Sequence, residues 1–351
     1  MSDRLSKNMP LRDFGLWQKY DQPLKLYSFD VELTARCNLD CRQCYINQPA
    51  GDAASAATEL TAAEIGRIAD EAIALGAVWC LITGGEPLLR KDFAEIYLML
   101  KRKGLLLSVF TNGVLINESH VQLFEKYPPR DIEITVYGAT AETYERVTRR
   151  PGSFAAFERG LKMLQEAGVR VRLKAMALRS NVHEMAQIAE FCRAHTKDFF
   201  RYDANLHLRF DRDPVRNGEI RSERLPAEEV VRLEQENSER SEALPDFCEK
   251  YVRPEFEHMT SHRVFHCGVG NGSAVIGHDG KLRLCSTLYH PDYMFDLRQG
   301  SLVEALQQLV PKAQTLTTER ESFLTHCRTC RVINLCQWCA AESYLETGEL
   351  D

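Results

Sequence analysis

Three cysteines crowd into the stretch TARCNLDCRQCY, at Cys37, Cys41 and Cys44, and neither a cysteine nor a histidine follows before Cys80. A structural zinc ion asks for four nitrogen or sulfur ligands, so this loop alone falls short of one. A redox disulfide between Cys41 and Cys44 would leave the third thiol, Cys37, unexplained. Three thiolates on one loop can instead hold three corners of a four-iron four-sulfur cube, whose fourth iron is then open to a ligand that is not protein.

Two short stretches further on have related chemistry. ITGGEPLLR sets Gly84, Gly85, Glu86 and Pro87 in a row, with two residues that let backbone come close to a neighbour and a carboxylate able to take an ammonium group. TNG offers Thr111 and Asn112 as donors and acceptors, and Gly113 permits a tight turn. On its own GGEP also reads as a plain turn; one βα unit after the three-cysteine loop it reads as part of a site.

A second group of cysteines lies near the C-terminal end: Cys267, Cys285 within HDGKLRLC, then Cys327, Cys330, Cys336 and Cys339 at C-x2-C-x5-C-x2-C. Those last four alone could make a zinc knuckle. Cys80 lies inside the apolar run AVWCLI, and Cys192 shares a helical face with Met185, Ile188 and Ala189, so both read as core thiols. Cys248 is left between packing and ligation.

The elements that must position these residues can be read from periodicity. From residue 26 to 211 short β-rich runs alternate with helical patterns, the mark of βαβ units on a parallel sheet. Six strands are expected, at 26–33, 77–83, 105–111, 131–137, 169–177 and 205–210. Helix starts are expected at Thr61, Asp92 and Asn181, each three residues before a glutamate, and stops at Gly76, Gly104 and Gly168. Six right-handed units fall two short of a closed eight-stranded barrel, which predicts an α/β fold with a partial, TIM-like (β/α)6 barrel. The cysteine loop, GGEP and TNG then follow the first, second and third strands, at the carboxyl-end mouth where such barrels keep their sites.

Strands four to six alternate apolar and polar residues: Ile132, Ile134 and Val136 against Glu133, Thr135 and Tyr137; Val171 and Leu173 against Arg172 and Lys174; Leu206 and Leu208 against His207 and Arg209. If the apolar face packs on the outer helices, the polar face points inward and lines a wet cavity, or else forms an ion-pair lattice. Tyr137, Arg172 and Lys174 are thereby candidates to meet a polar ligand, and His207 and Asp211 candidates for a proton acceptor. The expected organisation is an N-terminal segment 1–25, the barrel 26–211, a charged, proline-punctuated helical bridge 212–262 and a small cysteine-rich iron-sulfur domain 263–351.

Composition narrows the class. Lys and Arg number 44 against 50 Asp and Glu, a formal net charge of -6 with no basic stripe, so nucleic acid is not an expected partner. No apolar run is long enough to span a bilayer and the first 25 residues carry no signal-type core, so neither a membrane nor export is expected; a cytoplasmic protein is. Twelve cysteines in such a chain read as metal ligands or buried thiols before disulfides.

CNLDCRQCY followed by TGGEPLL and TNG resembles the radical S-adenosylmethionine (SAM) superfamily, over essentially residues 26 to 211. The resemblance implies that Cys37, Cys41 and Cys44 ligate a 4Fe-4S cluster and that its open iron chelates the amino and carboxylate groups of SAM. It implies further that Gly84, Gly85 and Glu86 hold the SAM ammonium and that Tyr45 lies near the adenine. Electron transfer into the cluster from a low-potential donor such as ferredoxin or flavodoxin would cleave SAM to a 5'-deoxyadenosyl radical, which abstracts a substrate hydrogen. The C-terminal pattern resembles the SPASM module, which carries auxiliary iron-sulfur clusters. One would draw on Cys267, Cys285 and Cys339 and the other on Cys327, Cys330 and Cys336. Here the last pair is spaced by two residues where the module usually has three, and the module's final cysteine would lie beyond Asp351. Six sulfurs cannot fully ligate two four-iron clusters, so one or two auxiliary clusters are expected, with Cys248, residues beyond Asp351 or an open iron completing the set. ITVYGATAETYERVT, PGSF and LETGE resemble members that modify a peptide or protein substrate. The alternatives are the same chemistry on a small-molecule cofactor precursor, and a non-catalytic iron-sulfur or zinc scaffold.

Overall fold

The computed structural model describes residues 20, 22–252, 262–327, 329, 330, 332, 335, 336 and 338–351. Most of the segment 1–25, and Pro254 of the bridge, lie outside the described residues.

The central sheet grows from alternating apolar runs in the expected places. Its strands are β1 (Ser28–Glu32), β4 (Trp79–Thr83), β5 (Leu106–Thr111), β6 (Asp131–Val136), β7 (Val171–Met176) and β8 (Tyr202–Asp203), neighbours in that order and all parallel. The short β2 (Arg36–Cys37) and β3 (Gln48–Pro49) pair with each other in the loop that follows β1. Ile82, Val109, Ile132, Ile134 and Val136 are fully buried in one apolar core with Ile68, Ile96, Phe124 and Leu161 from the intervening helices. A partial α/β barrel results, as the strand count predicts.

Two expectations need correction. The sixth strand falls at Tyr202–Asp203 and not at 205–210, where Leu206 and Leu208 are buried but make no ladder with β7. Those two leucines pack instead with Val147, Leu178, Ile220 and Leu345, so helix contacts and not strand pairing explain their alternation. Of the three helix starts, Thr61 forms a complete capping box with Glu64, whereas Asp92 and Asn181 make no side-chain cap bond. Asp92 is drawn off by Arg90, whose Nη2 lies 2.5 Å from its Oδ2. Asn181 turns inward and donates to the Tyr137 and Met176 carbonyls.

Beyond β8 come helices at Pro214–Glu223, Ala227–Glu236 and Ser238–Tyr251. The chain then returns to the same sheet. Here β9 (Ser273–Ile276) pairs parallel with the outer edge of β1, and β10 (Lys281–Arg283) and β11 (Met294–Asp296) extend it antiparallel to nine strands. The cysteine-rich region is thus hydrogen-bonded onto the barrel. Helix Ala340–Thr347 follows Cys339 directly and packs Leu345 against the 206–208 segment.

Candidate active site

The three-cysteine loop leaves the carboxyl end of β1 and is held there by its neighbours. Past the formal strand end, Leu33 N–H donates to Thr83 O at 2.8 Å, Gly85 N–H to Thr34 O at 2.7 Å and Glu86 N–H to Arg36 O at 2.9 Å. The two glycines matter because of this approach. A Cβ on Gly84 would lie 2.4 Å from Thr34 O, and one on Gly85 would lie 2.4 Å from Arg36 O and 2.5 Å from Ala35 O; Gly84 also sits at φ +130°. What they admit is the backbone just ahead of Cys37.

Glu86 is fully buried. Its Oε1 accepts from the Thr111 hydroxyl (2.8 Å) and Leu88 N–H (3.1 Å), and its Oε2 from Asn112 N–H (2.8 Å). Both oxygens therefore tie the GGEP turn, with Pro87 opening its 3-10 turn, to the TNG turn after β5. Burial raises the Glu86 carboxyl to about 7, against the pull of those donors. Asn112 completes the connection, its Nδ2 reaching Asn38 Oδ1 at 2.9 Å and Cys37 Sγ at 3.7 Å.

Each of the three sulfurs already has a donor aimed at it. Leu39 N–H points to Cys37 Sγ (3.4 Å), Asn47 N–H to Cys44 Sγ (3.3 Å), and Tyr137 hydrogen-bonds Cys41. Burial pushes all three thiols up; Cys37 is raised further by Glu86 and Cys44, and Cys41 by Cys44 and Cys37. Thiolates in such surroundings call for a cationic body to offset their charge, and N–H and O–H donors on the sulfurs are what tunes an iron-sulfur cluster. Three sulfurs on one loop, each with a donor aimed at it, form a donor set that fits a multi-iron cluster on Cys37, Cys41 and Cys44.

The remaining candidates divide. Tyr45, next after Cys44, is half-buried, its ring centroid 4.7 Å from that of Phe210 and 6.3 Å from that of His207. His207 Nδ1 lies 2.6 Å from Glu342 Oε1 on the C-terminal helix. Asp211 is gripped by Arg209, Nη2 to Oδ2 at 2.5 Å, and hydrogen bonds from that guanidinium hold its carboxyl below the usual range despite partial burial. Arg172 and Lys174 enter an ion-pair lattice: Lys174 Nζ is 2.9 Å from Glu133, and Arg172 is within 4.0 Å of Glu133, Asp131 and Asp198, with Arg201 also on Glu133. Of the two readings of the polar face, the lattice describes these strands. Burial is the main reason that the Cys339 thiol is raised, and Cys285 lies close enough to add to it. Cys330 N–H bonds Cys327 O at 3.3 Å, and Trp338 N–H reaches Cys336 Sγ at 3.4 Å; Cys267 is exposed. Cys80 and Cys192 are core thiols at 1% exposure. Sequence reasoning missed Asn47, three residues past Cys44, and Arg209, Arg216 and Glu342, which reach the site across 135 to 175 residues of chain and carry no local motif.

A parallel half-barrel that presents three donor-capped thiols at the carboxyl ends of its strands has the form of an α/β iron-sulfur enzyme. Residues 31–192 match the model of the Radical SAM superfamily, and this part of the chain is a radical SAM domain. It is thus an enzyme that uses a 4Fe-4S cluster and SAM. Over the full length it is 25% identical to the AdoMet-dependent heme synthase of Methanosarcina barkeri (91% of this chain, 92% of that protein). It is 23% identical to the antilisterial bacteriocin subtilosin biosynthesis protein AlbA of Bacillus subtilis (93% and 74%). The fold is similar to the crystal structure of Streptococcus suis SuiB bound to its precursor peptide SuiA, with TM-score 0.68 at 15% identity over 95% of this chain and 76% of that one.

Proposed function

We propose that the substrate is a peptide or protein side chain, from which a hydrogen atom is taken in the course of peptide maturation. The observation that carries this reading is the extent of the likeness to AlbA, which runs through 93% of the chain and so includes the C-terminal cysteine region as well as the barrel. Cluster-bound SAM, reductively cleaved, would supply the 5'-deoxyadenosyl radical. The chain's own residues would do the rest. Cys37, Cys41 and Cys44 hold the cluster, Glu86 locks the GGEP and TNG turns around it, and Tyr45 with Phe210 walls the site apart from water. Cys267, Cys285 and Cys339, and Cys327, Cys330 and Cys336, would hold one or two auxiliary clusters. His207, oriented through Nδ1 by Glu342, would keep Nε2 free to accept a proton from the substrate. Asp211 is the weaker candidate, being already the partner of Arg209.

A second reading, action on a small cofactor precursor, is favoured by the equally long match to the heme synthase. The test is anaerobic. Reconstitute with iron and sulfide, add SAM and a strong reductant, and offer separately short peptides encoded beside the gene and iron-coproporphyrin-type tetrapyrroles. A SAM-dependent mass change in a peptide, lost when Cys37, Cys41 and Cys44 become alanine, supports the proposal. Conversion of the tetrapyrrole alone transfers the assignment to the second reading, and a loaded cluster that yields no 5'-deoxyadenosine overturns both.

A further inference from the structure

Three arginines from distant parts of the chain converge on the three-cysteine loop. Arg209, 3% exposed, donates through Nη1 to Asn47 O (3.1 Å) and Asn47 Oδ1 (3.0 Å). Asn47 is the residue whose N–H caps Cys44 Sγ. Arg216 Nη2 reaches Cys41 O at 3.2 Å and Asp40 Oδ1 at 2.9 Å, while its Nη1 holds Glu219 at 2.9 Å. Arg149 stands at φ +54°, a left-handed position where a glycine is usual, and from there contacts Asp40 (3.5 Å) and Glu219 (2.5 Å).

The carboxylates that balance these charges lie to the outside. Asp40, Asp211 and Glu219 side chains are 57%, 43% and 28% exposed, whereas those of Arg209 and Arg216 are 4% and 18% exposed. Solvent screens an exposed charge far more than a buried one, so the sulfurs feel the guanidinium charge more than its counter-ions.

We infer that Arg209 and Arg216 make the cluster on this loop easier to reduce. Cluster potentials follow net charge, hydrogen bonds to sulfur and exposure, and a nearby positive charge favours the more negative, reduced state. The step concerned is the transfer of one electron to the cluster from a low-potential one-electron donor, which is thereby oxidised, with no bond made or broken in the protein. The inference rests on the loop holding an iron-sulfur cluster and is independent of the substrate's identity.

The experiment is a potentiometric titration of the reconstituted full-length protein. It follows the EPR signal that changes on adding SAM, so that the three-cysteine cluster is the one read, with iron and sulfide counted in every sample. At the potential where half of the wild-type clusters are reduced, Arg216→Gln should lower the reduced-to-oxidised ratio about tenfold, which for one electron is about 59 mV. Arg216→Lys, keeping the charge, should stay within about twofold, and Glu219→Gln should move the ratio the opposite way to Arg216→Gln. A brace without electrostatic effect would behave differently: Arg216→Gln and Glu219→Gln would shift the ratio in the same direction or not at all, and that result overturns the inference. If Arg216→Gln fails to keep its iron, Glu219→Gln decides, because an unchanged or lowered ratio in that variant refutes the charge effect.

Discussion

Replacing Gly85 with alanine tests the claim that GGEP acts first on the cluster loop's own backbone. The added Cβ would meet Arg36 O at 2.4 Å, Ala35 O at 2.5 Å and Ala35 C at 2.8 Å, all backbone atoms that no rotamer change can move. The two segments must separate by about 1 Å to restore ordinary contact, at a cost of about 1–3 kcal/mol for overpacking. That movement breaks the hydrogen bonds now at 2.7 Å (Gly85 to Thr34) and 2.9 Å (Glu86 to Arg36), worth about 1 kcal/mol each. The sum, about 3–5 kcal/mol, is large beside the about 5–15 kcal/mol that holds a typical domain together. Urea unfolding of the metal-free protein would read the loss, and iron per chain after reconstitution would read the displaced Cys37. Gly218 makes a matched control: it is exposed inside helix Pro214–Glu223 with nothing within 4 Å of an added Cβ, so Gly218→Ala should stabilise by about 0.5–1 kcal/mol and leave iron unchanged. A Gly85→Ala protein with wild-type urea midpoint and wild-type iron would refute the reasoning.

Other expectations follow from buried charge. Asp30, on the inner face of β1, is raised to about 6 by burial and by Glu32, against the pull of Arg283. A raised carboxyl pKa adds stability below its unfolded value of about 4, and that stability is lost as the pH climbs through 6. Asp30→Asn should therefore match wild type near pH 4 and exceed it by about 2 kcal/mol at pH 8, and a difference that stays flat across that range would show the pKa to be ordinary. Glu133 is buried under Lys174, Arg172 and Arg201, so Glu133→Gln should destabilise by about 2–3 kcal/mol, discounted because those cations are partly exposed. It should leave deoxyadenosine formation per cluster intact, since the lattice already engages both cations; a selective loss of that activity would place Lys174 or Arg172 in the SAM site after all. His207→Ala should raise the Glu342 carboxyl, which against the effect of burial is held below the usual range by its hydrogen bond to His207, and an unmoved carboxyl in an NMR titration would dissolve the pair.

The match between sequence and structure is closest where chemistry is local. Cys37, Cys41 and Cys44 lie within one loop, and strand period and capping are properties of a few consecutive residues. The loop, the GGEP and TNG turns and five of the six barrel strands were therefore legible from types and spacing. The sixth strand was not, because Leu206 and Leu208 alternate for the sake of Ile220 and Leu345, and an alternating pattern does not say what buries it.

Roles that depend on partners far along the chain were decided by the tertiary structure. The sequence offers Glu86 as a free carboxylate, but only the fold shows both its oxygens taken by Thr111, Leu88 and Asn112. Arg172 and Lys174 look alike as ligand candidates until the register of β6 against β7 sets Glu133 beside Arg172 and within 2.9 Å of Lys174. The arginines around the cluster loop, and the Glu342 that orients His207, belong to no motif, since charge acts through space and takes no account of sequence separation. Sequence by itself determined which atoms can hold the cluster; the fold decided which charges surround it.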